Sequence, residues 1–302
     1  MNPVLRLLLT ILLFPLSLAA QEIGTVTLVE GALRVIRGTI VLQGIEGMRL
    51  QEGDILESSD PGFTQMEFAK GTIVAIGAST RVFLLHSRAG SMGGKMRDTV
   101  AEVVVLSGWF KGETRSSAGA YRYDSPLVAA STRDGTIVLH ASAGAADMFI
   151  ESGTALVSEV SPEGNLARPT AAKSGQFFSR RAGKSTTTNS RPDAAFLRSM
   201  PRPFRDTFPP RLSRFTGKAT EPRRDHEVSY PEIQPWLTMG RSWRRNLVER
   251  FRPRLQDAAF RRALESHLGD HPEWDPILHP EKYQPKTPPP SAAKPNSLPG
   301  RY

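Results

Sequence analysis

The 302-residue chain carries 39 Lys and Arg against 30 Asp and Glu, a net charge of +9, with 39% hydrophobic residues. It contains no cysteine, which excludes a disulfide-stapled scaffold, a thiol enzyme and any Cys-ligated zinc or iron–sulfur site. A single long apolar run excludes a polytopic helical membrane protein, and this length fits one or two domains.

The first element is that apolar run. Arg6 precedes Leu7–Leu18, and Ser17-Leu18-Ala19 places small residues at the −3 and −1 positions of a cut after Ala19. A run this short falls below the roughly 20 residues a bilayer span needs, so residues 1–19 are expected to be a cleaved signal peptide. A cut after Ala20 is the near alternative, and an uncleaved anchor is the competing reading. Export of a cysteine-free chain carries no risk of mispaired disulfides.

The next segment, 21–175, holds 20 of the 25 Gly and has a net charge of −3. Short runs alternate apolar and polar residues and then meet Gly, Asp or Ser. Leu33 and Val35 flank Arg34, and Gln65-Met66-Glu67-Phe68 predicts a strand with Met66 and Phe68 in a core and Gln65 and Glu67 facing water. Val103-Val104-Val105-Leu106 reads as a strand covered on both faces. No helical period stands out, so the segment is expected to be all-β, a sandwich- or roll-like stack of short strands. Gly-Thr-Ile-Val recurs at Gly38, Gly71 and Gly135. It is either a repeat of roughly 32 residues or a common strand opener.

These residues resemble the FecR domain, a periplasmic β domain, over about 24–160. The family's opening pattern matches Gly24, Val26, Gly31, Leu33, Val35 and Arg37, and its second block matches Gly47, Leu50, Gly53 and Asp54. Gly71, Thr72, Val74, Ile76, Ser79, Val82 and Leu84 fit the following strands, and Leu106, Ser107 and Gly108 the later part. Arg133-Asp134-Gly135-Thr136 departs from the family's Arg-Gly-Thr by one added Asp, which leaves the register of the last strands open. The resemblance implies a periplasmic module. The family's best-known members sense siderophore import through a cytoplasmic part and one membrane span, and only about 20 residues precede the β segment here, so a direct transcriptional role is not expected. Read from the residues alone, Gly47, Gly53 and Asp54 are turn formers, with Asp54 able to accept backbone N–H groups.

From Ala171–Gly175 onward the composition changes. Residues 176–302 carry 18 of the 24 Pro and a net charge of +11. Residues 176–230 are expected to be a basic, mostly extended linker. Phe196, Phe204, Phe208 and Phe215 lie there among Arg198, Arg202, Arg205, Arg211 and Arg214, with one turn of helix at Asp193–Met200. A small helical segment is expected over 231–284. Trp243, Leu247 and Phe251 recur every four residues up to Pro253. Phe260, Leu264 and Leu268 follow an N-cap at Asp257, with Gly269 at the C-cap. The Pro-rich residues 285–302 are expected to be disordered.

Chemical motifs are weak. Gly183-Lys184-Ser185 lacks the first glycine of a phosphate loop, where Phe178 stands, and Ser291-Ala292-Ala293-Lys294 lies among prolines. His267, His271 and His279 cluster in sequence with Asp270, Glu273 and Asp275, but Gly269 and Pro272 break the helix that would align them, so they are read as solvated capping residues. His86 and His140 end apolar strands. No catalytic, cofactor-binding or metal-binding residue is assigned.

The sequence therefore predicts an all-β main domain followed by a mostly extended basic tail with two or three short α-helices. The expected function is that of a non-enzymatic, exported, FecR-like envelope binding or sensing module. Its expected partners are another envelope protein or an anionic envelope polymer, with membrane-surface contact through the tail and no nucleic acid. The alternatives are a membrane-anchored signalling regulator and an enzyme acting on envelope glycans through a carboxylate pair.

Overall fold

The computed structural model describes residues 22–85, 99–115 and 119–284; the expected signal peptide, His86, the Ser291–Lys294 motif and the Pro-rich end lie outside these residues. The chain divides into two compact units, the first ending at Glu227 and the second starting at Val228.

The first unit is built from strands β1 (Glu22–Glu30), β2 (Leu33–Arg37), β3 (Ile40–Gly44), β4 (Arg49–Gln51), β5 (Ile55–Ser58), β6 (Phe63–Phe68), β7 (Ile73–Ile76) and β8 (Arg81–Leu85). Then come β9 (Thr99–Thr114), β10 (Ala120–Asp124), β11 (Val128–Ser142), β12 (Ala145–Glu159), β13 (Thr170–Lys173), β14 (Phe177–Arg181), β15 (Thr187–Asn189) and β16 (Arg223–Glu227). Three strands of 15 or 16 residues, β9, β11 and β12, each serve two pairing arrays. One array runs β4-β1-β6-β7-β9-β11-β12-β14-β15, antiparallel throughout, and uses the later half of β9. The other runs β16-β3-β2-β5-β8-β9-β10-β11-β12-β13 and uses the earlier half of β9, with β9 and β10 parallel.

The long strands change array at glycines. Gly108 has φ 95°, and a Cβ there would sit 2.3 Å from the Thr80 hydroxyl. Gly135 and Gly153 face each other across β11 and β12, where a Cβ on Gly153 would come within 2.2 Å of the Asp134 carbonyl oxygen. Only glycine accepts both the left-handed φ and that approach. The added Asp134 falls where the β11–β12 register shifts, between Ser131 and Asp134. One core joins the two arrays: Val35, Leu56, Val82, Val103 and Tyr123 on one side meet Met66, Phe68, Val74, Phe110, Leu139 and Met148 on the other. Alternation thus works as the sequence predicts for Met66 and Phe68, and Val103, Val104 and Val105 are all buried.

The three Gly-Thr-Ile-Val copies occupy unlike places. Gly38 makes the β2–β3 turn, Gly71 precedes β7, and Gly135 lies within β11. The tetrapeptide behaves as a β-run opener or bend, not as the start of an equivalent unit. Arg37 and Asp54, from the two FecR-like blocks, meet in a two-pronged pair at 2.9 and 2.7 Å, and Asp54 also accepts the Gln51 N–H as expected. Among the described residues up to 175, the only helical piece is one 3₁₀ turn, Ala69–Gly71.

Residues 176–230 follow the largely extended course the sequence predicts, but they are no solvated linker. β14 joins one array directly, β16 adds an edge strand to β3, and helix α1 (Ala194–Ser199) forms with Asp193 as its N-cap. Between these, Phe196, Met200, Phe204 and Phe208 are buried against Phe63, Ile73, Ala75, Trp109, Val138 and Phe177, on the face of the antiparallel array opposite the main core. The composition break at 171–175 is bridged by pairing, since β13 and β14 both bond to β12.

The second unit holds α2 (Tyr230–Leu237), α3 (Arg241–Phe251), α4 (Ala258–Ser266) and α5 (Asp275–Leu278). α3 and α4 match the predicted stripes, with Trp243, Leu247, Phe251, Phe260 and Leu264 buried and Asp257 capping α4 through the Ala259 and Phe260 amides. α2 is a helix the sequence reading lacks. Pro231 lies in its first turn, where a missing N–H does no harm, and Ser229 with Glu232 forms a capping box. α2 lies against both α3 and α4. Gly269 is not the C-cap; His267 holds that position, its ring bonded to the Ala263 carbonyl at 2.8 Å.

Candidate functional site

The outward face of the antiparallel array carries polar side chains at positions where strand alternation would present them to water: Gln65 and Glu67 on β6, Lys111 and Glu113 on β9, and Glu151 on β12. The expectation that Gln65 and Glu67 face solvent is wrong, because the strap formed by residues 193–220 covers them, leaving 1% and 3% exposure. Much of this strap lacks regular secondary structure, so its backbone groups need other partners.

The sheet provides them. The buried Lys111 ammonium donates to the carbonyls of Phe204 at 2.9 Å and Asp206 at 3.0 Å, pairs with Glu151 at 2.9 Å, and lies 5.2 Å from the centre of the Phe208 ring. The Glu113 carboxylate accepts the Phe208 N–H at 3.0 Å. Burial raises the pKa of Glu113, opposed by that N–H and by the Lys111 charge. Glu67 accepts the N–H groups of Arg211 and Leu212, and the Gln65 amide donates to the Pro209 carbonyl at 2.8 Å. Further along, Arg49 donates to the carbonyls of Phe215 and Lys218, and the Gly47 carbonyl accepts the Thr220 N–H. Apart from Glu151, whose partner is the Lys111 ammonium, each polar group here serves a backbone partner, the condition under which a buried charge is tolerated.

The outer side of the strap is cationic. Arg198, Arg202, Arg205 and Arg214 are exposed. Beside the strap runs a groove of about 630 Å³ lined by Gly31, Pro61, Phe63, Trp109, Pro201 and Pro203 among others. Trp109 stacks on His140, ring centres 4.4 Å apart, and burial lowers the His140 pKa.

A second polar cluster joins Glu102, Arg122 and Asp124. Arg122 bonds both carboxylates, at 2.9 Å for Asp124. Asp124 is fully buried, and desolvation, with the neighbouring Glu102 charge, raises its pKa well above the usual carboxylate range against the pull of Arg122. Arg122 lines a cavity of about 250 Å³ with Ser131 and Ser158, and neither carboxylate does.

The tail histidines are not brought to one point. His267 caps α4 and stacks on Tyr230 at 5.1 Å, and His279 lies near Asp275 and Glu281. His271 departs from the solvated reading, being fully buried with its ring 5.9 Å from that of Tyr230. Among the described residues no three His, Asp or Glu stand close enough to hold a metal ion. Gly183-Lys184-Ser185 lies in the turn after β14, with β15 and no helix following.

The clasp of Lys111, Glu113, Gln65 and Glu67 was missed by sequence reasoning. A signal was present in the four-residue spacing of Phe196, Met200, Phe204 and Phe208, opposite Arg198, Arg202 and Arg205.

The fold and this surface define a two-array all-β domain strapped by its own chain. No family model and no curated protein matches the chain. Among solved structures it is similar to two of a candidate anti-sigma factor from Parabacteroides distasonis, each aligned over 48% of this chain, at 12% and 11% identity and a TM-score of 0.36. The chain spans 64% and 62% of the length of those neighbours. No described helix is long and apolar enough to cross a membrane.

Two predictions follow from this geometry. Lys111→Met leaves the buried Phe204 carbonyl, the Asp206 carbonyl and Glu151 without their partner, and lowers the unfolding free energy by about 2–4 kcal/mol in urea titrations; an unchanged midpoint contradicts the clasp. Burial lowers the pKa of His271, against the raising effects of the Leu264 carbonyl, Glu273 and Asp270. The unfolded state therefore binds the extra proton, so this contribution is complete above the ordinary histidine value of about 6.5 and is lost as pH falls below it. Three of the four tryptophans, Trp236, Trp243 and Trp274, lie in the second unit. Tryptophan fluorescence melts should show a midpoint falling between neutral and mildly acidic pH, and His271→Phe should remove most of that slope.

Proposed function

We propose that the chain is an exported, non-enzymatic, FecR-like domain protein that acts as a binding or sensing module of the cell envelope. The observation that supports this reading is the use made of the polar groups on the strapped face. Lys111, Glu67, Glu113 and Gln65 hold the chain's own backbone, and the groove beside them is walled mainly by proline, glycine and aromatic residues, with Glu30 and Ser199 as its polar side chains. Such a surface suits recognition of another molecule better than proton or group transfer. The partners that fit are another envelope protein or an anionic envelope polymer, and the reading needs no cofactor. The resemblance of Gly24–Arg37 and Gly47–Asp54 to the FecR blocks, and the pairing of Arg37 with Asp54, agree with it.

The second reading, a membrane-anchored regulator, differs in the fate of residues 1–20, where Ser17-Leu18-Ala19 favours cleavage. Expression of the full chain in a Gram-negative host, followed by fractionation and intact mass, separates the two. The expected product is periplasmic, unattached to membrane, and lacks residues 1–19 or 1–20. A full-length product held in the inner membrane overturns export with cleavage and leaves the anchored regulator.

A further inference from the structure

We propose that the outward arginines of the strap form a docking surface for a lipid bilayer bearing anionic phosphate headgroups. This deepens the envelope reading by naming a partner, and rests on that reading only for where such a bilayer is met.

The charge is local and of one kind. Residues 185–220 contain six Arg (191, 198, 202, 205, 211 and 214), a single Lys at 218, and only Asp193 and Asp206 as acids. Asp193 is engaged as the N-cap of α1. The segment 21–175, which builds most of the sheet beneath, is net negative. Arginine's planar fork matches phosphate oxygens in a two-pronged way that lysine cannot.

Four of the six cations are also unclaimed, while Arg205 donates to the Leu197 carbonyl. Arg191, Arg198, Arg202 and Arg214 make no side-chain hydrogen bond or ion pair among the described residues, while Arg34, Arg37, Arg49, Arg122 and Arg180 are all engaged. Phe196, Met200, Phe204 and Phe208 point into the sheet, and the backbone between them is fixed by Lys111, Glu113, Glu67 and Gln65. The strap therefore holds its arginines on a fixed base, so ordering on binding costs little beyond side-chain freedom.

The arrangement favours a surface over a single polymer strand. A polymer-binding site gathers its cations along a groove. Here the groove beside the strap is lined by Ser199, Pro201 and Pro203 and by none of the six arginines. Leu197, 46% exposed next to Arg198, supplies an apolar side chain for the headgroup boundary.

The test uses the full chain with two vesicle preparations, phosphatidylcholine alone and phosphatidylcholine mixed with phosphatidylglycerol. Arginine-specific dicarbonyl labelling, read by mass spectrometry, reports each arginine separately. That readout stays valid if the apolar N-terminal run inserts into both preparations. The expected result is protection of Arg198, Arg202 and Arg214 by the anionic vesicles only, reversed when salt rises from about 0.1 M to about 0.5 M. The variant R198Q/R202Q/R214Q alters exposed, unpartnered side chains and should keep its melting temperature. It should lose about a hundredfold in affinity for anionic vesicles relative to neutral ones, and the matching lysine variant less. Equal labelling with both vesicles, or protection confined to arginines outside the strap, overturns the proposal. So does stronger protection by soluble polyphosphate than by anionic vesicles, which would assign the surface to a polymer. None of these outcomes depends on where the cell places the protein, so failure here is distinct from failure of the export reading.

Discussion

A strap that lacks regular secondary structure over much of its length presents backbone N–H and C=O groups with no ladder to join, and burying its phenylalanines brings those groups close to an apolar surface. The chain meets this constraint by placing polar side chains on a sheet face that is otherwise hydrophobic. Lys111 takes the Phe204 and Asp206 carbonyls, Glu113 the Phe208 amide, Glu67 the next two amides and Gln65 the Pro209 carbonyl. Removing the strap would open Phe63, Ile73, Ala75, Trp109 and Phe177 to water and leave Lys111, Glu113 and Glu67 without their backbone partners. Removing the polar side chains would leave unpaired backbone under the strap. Each half makes the other tenable.

The face exists because three strands are long enough to serve two arrays. The bend at Gly108 and the facing pair Gly135 and Gly153 let β9, β11 and β12 pass from one array to the other around a single core. The antiparallel array then has one side committed to that core and the other open. The strap closes the open side with side chains recurring every fourth residue and leaves its arginines outside. Packing thus sorts one peptide segment into an apolar inner side and a cationic outer side.

Local pattern made part of this legible. Met66 and Phe68 alternate into the core, Val103–Val105 run buried, and the stripes of Trp243, Leu247 and Phe251 and of Phe260 and Leu264 form helices where the spacing places them. Asp54 behaves as a turn acceptor, as its place after Gly53 implies. What failed was long-range. Gln65 and Glu67 read as solvent-facing because alternation specifies which side a residue faces, not what later covers that side. The strap read as a linker because a composition rule averages over residues whose apolar members all fall on one side. Lys111 gave no local sign at all, since its partners lie 93 and 95 residues further on. α2 was hidden by Pro231 and Pro235, and buried His271 by the polar residues around it.

The central claim is that the strap belongs to the folded β domain. Native-state hydrogen exchange on the full chain tests it most directly, at the amides of Phe208, Arg211 and Leu212. These donate to side-chain carboxylates and to no helix or strand ladder. The account predicts that they exchange slowly, at rates approaching those of β9, and that Lys111→Met speeds them all. Exchange of these three amides at unprotected rates while β9 stays protected would contradict it and return residues 193–220 to the role of a linker.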